Sequence, residues 1–254
     1  MPSLLKKVMW TGGWDSSFRI VQLSRIGDIS IQGIYISGDS RISEEKEINA
    51  INTITEMLRN RSETQAEIKP LMIVDKKDIP QIQHVTEAYK RLKKEINIGT
   101  QYDWLARFAY VNPGIELGAI LPDGEFSGYR ETIERFGGLK KVGETYKLDL
   151  SKASEDCKAV FGNFEFPLAF TKETDMLDMI KEWGYEDVMK NIWFCHTPYK
   201  GRVCGICRPC EQKMEGNMAF LLPSDAQRRY KRMKVLKDRF GEKGRNLWYK
   251  MYRF

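Results

Sequence analysis

Short apolar runs alternate with longer amphipathic stretches along this chain. Leu4 to Met9 reads as a short buried strand, and beyond a polar, glycine-containing break Phe18, Ile20, Val21 and Leu23 recur at helical spacing until Gly27. Ile29 to Ser37 predicts a second strand, closed by a turn at Gly38-Asp39-Ser40-Arg41. Ser43 is placed to cap a helix with Glu44, Glu45 and Glu47 in its first turn. The apolar face of that helix is Ile48, Ile51, Ile54, Met57 and Leu58. Pro70 to Asp75 predicts a third strand, and a helix through Val85, Tyr89 and Leu92 follows Pro80. Gly99 to Asp103 opens another helix, with Trp104, Leu105, Phe108 and Ala109 inward and Pro113-Gly114 as its end. Ile115 to Leu121 predicts a fourth strand.

This rhythm predicts an α/β fold, a Rossmann-like parallel sheet covered on both faces. Such sheets bind ligands beyond the carboxyl ends of their strands, which gathers the loops at 11–17, 37–43, 99–103 and 121–130 around one site. Pro122 to Arg130 is polar and suits either a cover over a substrate or an ordinary surface loop. Farther on, Gly143 marks a hairpin within 137–163. A helix from Thr171 carries Met176, Leu177, Ile180 and Trp183 and stops at Gly184. The expected division is an α/β body over 1–190 and a small helical lobe over 191–254.

The break after the first strand, Trp10-Thr11-Gly12-Gly13-Trp14-Asp15-Ser16-Ser17, carries candidate chemistry. Glycines let the backbone approach an anion, and free amides at a helix start point toward it. Ser16 and Ser17 add hydroxyl donors. Asp15 beside a phosphate calls for a bridging magnesium ion. The same residues also suit a plain glycine turn with a serine or aspartate cap.

Cys195, Cys204, Cys207 and Cys210 form a second cluster, two of its intervals being two residues long. Zinc takes four thiolates in a closed, structural tetrahedron. Gly205 gives the knuckle room to turn, Pro209 stiffens it, and Lys200, Arg202 and Arg208 favour thiolates. The alternative is a redox pair or a set of buried thiols, but a redox pair needs neither Cys195 nor Cys210. His196 is a substitute ligand in reserve, Cys157 reads as an isolated free thiol, and His84 sits in a helical pattern. No histidine is placed for a nucleophilic triad.

Composition narrows the setting. A chain of 254 residues buries a core without disulfides, and its net charge of +6 is modest. It has no apolar run of about 18 residues and no signal-peptide core at its start, so no membrane partner and a cytoplasmic address are expected. The excess charge gathers in the tail. There Arg228, Arg229, Lys231, Arg232, Lys234 and Lys237 interleave with Tyr230, Phe240, Trp248 and Tyr249. Such mixing suits nucleic acid, or an amphipathic helix packed through Tyr230, Met233, Leu236, Lys237 and Phe240; the second reading is favoured.

The glycine-rich break resembles the Ser-Gly-Gly-x-Asp-Ser signature of the pyrophosphate-loop ATP pyrophosphatases. Gly12, Gly13, Asp15 and Ser16 match, Thr11 stands for the first serine, and no Gly-Lys-Ser/Thr of a Walker loop follows. Together with Cys-Gly-x-Cys-x-x-Cys and the upstream Cys195, it resembles the 7-cyano-7-deazaguanine synthase family. The likeness takes in Glu44, Glu45, Ala50 and Lys172. It implies an adenine-nucleotide α-hydrolase-like fold and a homodimer. ATP and Mg2+ would be held by Trp10 through Ser17 and by Ile36, with Asp15 and Ser16 catalytic. Zn2+ would sit on Cys195, Cys204, Cys207 and Cys210. The implied reaction adenylates a deazapurine carboxylic acid, 7-carboxy-7-deazaguanine. Ammonia or another amine then gives an amide or nitrile, with AMP and pyrophosphate released. Two family segments differ: Pro-Gly-Arg-Asn is Gly99-Thr100-Gln101-Tyr102 here, and Tyr-Pro-Asp-Cys-Arg is reduced to Tyr129-Arg130. These changes leave the substrate open. Phage-defence relatives join a deazaguanine to a protein. The rivals are a tRNA-modifying adenylating enzyme and a non-enzymatic zinc module that binds nucleic acid.

Overall fold

The computed structural model describes residues 4–38, 41–120 and 128–252, with side chains up to 241. The elements run β1 (Leu4–Met9), α1 (Trp14–Ser24), β2 (Ile29–Ser37), α2 (Glu44–Arg59), β3 (Glu67–Ile68) and β4 (Met72–Asp75). Next come α3 (Gln83–Glu95), α4 (Gln101–Val111), β5 (Ile115–Leu117), α5 (Tyr129–Phe136), β6 (Leu139–Val142) and β7 (Thr145–Leu148). The chain closes with α6 (Glu155–Phe161), β8 (Phe164–Glu165), α7 (Glu173–Trp183), α8 (Glu186–Met189), α9 (Arg208–Glu215) and α10 (Ser224–Tyr252).

The strands form one mixed sheet in the order β3-β2-β1-β5-β8-β7-β6, with β4 also on β2. It is parallel from its β3/β4 edge through β8, and among the described residues only the hairpin around Gly143 adds antiparallel strands. β2 is buried along most of its length because helices cover both faces, whereas β1 is buried only at its carboxyl end, Val8 and Met9. One face packs on α3, α4 and α6 through residues such as Val85, Leu92, Phe108 and Phe161. The other packs on α1, α2, α7 and α8 through Phe18, Ile51, Met176 and Val188. A third apolar cluster surrounds the four cysteines and includes Tyr230 and Met233 of α10.

The predicted third strand, Pro70 to Asp75, is β4, and a short strand not foreseen, β3, precedes it. β3 pairs with Ser30–Ile31 and β4 with Ile34–Ser37, on the same side of β2. Pro70 between them has no amide to give, and its carbonyl accepts instead from Gln32 Nε2 at 2.8 Å. The predicted fourth strand stops at Leu117, where the Ala119 amide turns back onto the Leu117 carbonyl at 2.7 Å. The turn foreseen at 38–41 and the segment 122–130 lie partly outside the described residues.

Order reverses between β1 and β5, since the chain leaves β1 toward β2 and returns to β1's other side as β5. The crevice at their carboxyl ends is where parallel sheets bind ligands. A buried ion pair locks the two sides. Arg19 of α1 meets Glu116 of β5 through Nε–Oε2 at 2.7 Å and Nη2–Oε1 at 2.9 Å. No described helix is long and apolar enough to cross a membrane.

Candidate nucleotide site and four-cysteine centre

The glycine-rich break sits at that crevice, between β1 and the first turn of α1. The two glycines differ in kind. Gly12 has φ +72, and a Cβ there would lie 2.8 Å from the Glu47 carbonyl of α2. Gly13 has φ −77, and a Cβ there would make only ordinary contacts. As the residue before α1, Gly13 offers no side chain to cap the helix, so the first-turn amides are left to other acceptors.

The hydroxyls divide their tasks. Ser17 is fully buried and accepts from the Trp10 indole at 3.0 Å, tying strand to helix. Ser16 lies 3.4 Å from both the amide and the hydroxyl of exposed Thr11, across the loop's mouth. Gly118, just past β5, backs the loop: a Cβ there would come within 3.0 Å of Ser16 Cα. Any larger residue would push β5 away from the helix start.

Asp15 is the unsettled group. Its Oδ1 is enclosed with no hydrogen-bond partner among the described residues. Burial pushes the carboxyl up to about 7; the Lys213 charge lowers it and the Glu173 charge raises it. Lys213 itself is buried, bonds Glu173 at 2.6 Å and stands 5.6 Å from the centre of the Trp14 ring. Tyr129, at the start of α5, has its phenol pKa raised by burial first and by the Asp15 charge second. It donates to the Ile120 carbonyl and leans on the Tyr102 ring at 5.6 Å. The loops at 11–17, 99–103 and the start of α5 therefore converge.

A second polar cluster holds the end of β2. Buried Glu47 accepts from Tyr35 at 2.7 Å and from Ser43 at 2.7 Å, and pairs with Arg41 at 3.2 Å. Ser43 thus spends its hydroxyl on Glu47 and makes no side-chain cap to the backbone, contrary to expectation. Ile36 packs in the core, and its carbonyl accepts from Arg41 Nη2 at 3.3 Å.

The four cysteines converge as the spacing predicts. Their sulfurs all lie within 4.8 Å of one another, with Cys207–Cys210 at 3.4 Å, Cys204–Cys210 at 3.8 Å and Cys195–Cys207 at 3.9 Å. This is a metal-binding arrangement. Cys204 Sγ takes the amides of Ile206 and Cys207, each at 3.3 Å. Neighbouring thiols, Cys195 foremost, and the Ile206 amide hold its pKa well below the usual thiol range. Lys200, Arg202 and Arg208 are exposed, so backbone amides and thiols do the work expected of those cations. A Cβ on Gly205 (φ +78) would run into the Ala226 carbonyl of α10. His196 is exposed and outside the cluster. Cys157 is a free, buried thiol whose pKa burial pushes up to about 12.

The centre and the loop are joined. The Trp193 amide donates to the Gly12 carbonyl at 2.8 Å, and the Trp193 indole donates to the Cys195 carbonyl at 2.9 Å. The tail serves the same centre: Arg229 donates to the carbonyls of Cys204 at 2.7 Å and Val203 at 2.9 Å. Lys237 pairs with Glu211, and Tyr230 bonds Glu215. Phe240, expected inward, is exposed. Trp193, Gly118, Glu173 and Lys213 escaped the sequence reading. Only Lys213 carried a usable signal, one helical turn after Cys210.

No protein-family model matches the sequence, and no curated protein matches it. Among solved structures, the chain is similar to the U34-tRNA thiolase NcsA from Methanococcus maripaludis with its [4Fe-4S] cluster. Identity is 13%, the match spans 99% of this chain and 72% of that one, and the TM-score is 0.44. That likeness is loose, and the site rests on its own geometry.

Proposed function

We propose that the chain is a pyrophosphate-loop enzyme that cleaves ATP between its α- and β-phosphates to activate a carboxylic acid. The observation that carries this is the loop. An uncapped helix start lies beside Gly13, whose small size the fold alone does not require but a close-packed anion does. The acid's oxygen attacks the α-phosphate, and pyrophosphate leaves toward the amides of Gly13 through Ser16 and the hydroxyls of Thr11 and Ser16. The protein orients the reactants and stabilises the departing charge. Asp15, with its enclosed and unpartnered oxygen, would hold a magnesium ion, which supplies neutralisation of phosphate charge. An amine then takes the acyl group from AMP. A deazapurine acid is the proposed substrate on the sequence resemblance, with Tyr102 and Tyr129 as the aromatic wall.

The four cysteines are proposed to hold one zinc ion. Bonds of about 2.3 Å set tetrahedral edges of about 3.8 Å. The sulfur separations support a single ion; an iron–sulfur cube between the same thiolates needs a wider cage.

The test follows labelled ATP with 7-carboxy-7-deazaguanine and ammonia. AMP and pyrophosphate are expected. ADP and phosphate would overturn the loop reading. AMP release driven by tRNA instead of the acid would move the reaction to tRNA modification.

A further inference from the structure

Lys213 is a costly residue to bury. A lysine is almost never enclosed without a partner, and this one is 6% exposed. Its ammonium bonds the carboxylate of Glu173, the first residue of α7, at 2.6 Å. It also stands 5.6 Å from the centre of the Trp14 ring, and Trp14 opens α1. Its charge is felt at Asp15, whose Oδ1 nonetheless takes no hydrogen bond from any described residue. So a buried cation lies near the phosphate loop with its bond made to Glu173 and none made to Asp15 Oδ1. It reaches this place because α9 begins at the cysteine centre and carries Lys213 one turn beyond Cys210.

We propose that Lys213 is a polyphosphate-binding lysine, delivered to the loop by the cysteine centre and held in reserve by Glu173 until the anion arrives. This rests on the phosphate reading of the loop and adds a residue to it. Two carboxylates, Asp15 and Glu173, and one ammonium share the space behind the helix start, a balance short of positive charge for a polyphosphate. Magnesium on Asp15 and transfer of the Lys213 ammonium from Glu173 to a phosphate oxygen would correct that balance together. Lysine suits the transfer, being a compact charge on a flexible stem.

The experiment titrates inorganic pyrophosphate with Mg2+ into the metal-loaded full chain by calorimetry. Lys213→Met should weaken binding roughly ten- to a hundredfold, the worth of a charged hydrogen bond, while zinc content is kept. Lys213→Arg should recover part of it. Glu173→Gln is the deciding variant, because it frees the ammonium and so should tighten pyrophosphate binding severalfold. If Lys213 only ties α9 to α7, Glu173→Gln would weaken binding or leave it unchanged, and either result overturns the proposal. So would wild-type affinity in Lys213→Met. No binding by the wild type would sink the loop reading itself, and this inference with it.

Discussion

Asp15 shows how one residue can cost stability and serve a site at once. Its carboxyl has a folded pKa near 7 against an unfolded value of 3.8. The folded state therefore binds the extra proton, and stability falls as pH rises from about 4 to about 7. Above that window the loss is complete, at most about 4 kcal/mol. Asp15→Asn has no charge to bury. Without ligand it should melt higher than the wild type at pH 8, with the gap closing toward pH 4, as calorimetry would show. The same variant should lose turnover by about a hundredfold or more, because an amide holds magnesium poorly. In the wild type, protons compete with magnesium, so pyrophosphate affinity should fall about tenfold per pH unit below pH 7. A flat profile there would mean that Asp15 holds no metal. Asp15, Gly12 and the four cysteines were readable in the sequence because their chemistry is local. Glu173 and Lys213 were not, because nothing in their own neighbourhoods announces a meeting across the fold.

At the scale of elements, α1 is fixed from both sides. Trp10 grips Ser17 in its first turn, and Glu116 of β5 grips Arg19 two residues on. Glu116 is fully buried, so removing its guanidinium partner leaves its charge only the longer contact to Lys6 Nζ at 3.6 Å. Arg19→Met should cost roughly 3–5 kcal/mol in denaturant unfolding, whereas the double variant Arg19→Met, Glu116→Leu should recover much of that. Equal instability of both would show that the pair acts through packing alone. β2 and α7 were legible to within a residue or two because their apolar periods are strong and glycine or a tight loop punctuates them, and β1 because the glycine-rich break ends it. β8 was not, as two residues carry no period. β3 was missed for the same reason, while β4 was read within the predicted Pro70 to Asp75. In the tail, charge density left nucleic acid as the lesser reading beside a packed helix. Arg229, Lys234 and Lys237 pair with groups of the cysteine lobe or of α10 itself.

At the scale of the whole molecule, the cysteine centre acts on the loop through Trp193 and through Lys213. Stripping its metal with a chelator should therefore weaken magnesium pyrophosphate binding as well as unfold the lobe locally. Metal analysis alongside calorimetry checks this; a metal-free chain with unchanged affinity and melting would separate the two sites.

The hydrogen bond from Trp193 to Gly12 also sets a schedule. The glycines of the loop leave the ribosome well before Trp193, the residue that braces them. At the usual pace of synthesis the gap is roughly ten to forty seconds. During that interval the nascent chain carries the loop's sequence without its shape. Competence for nucleotide should then arrive late and all at once, when the cysteine segment docks, and chains stalled before residue 193 should capture none.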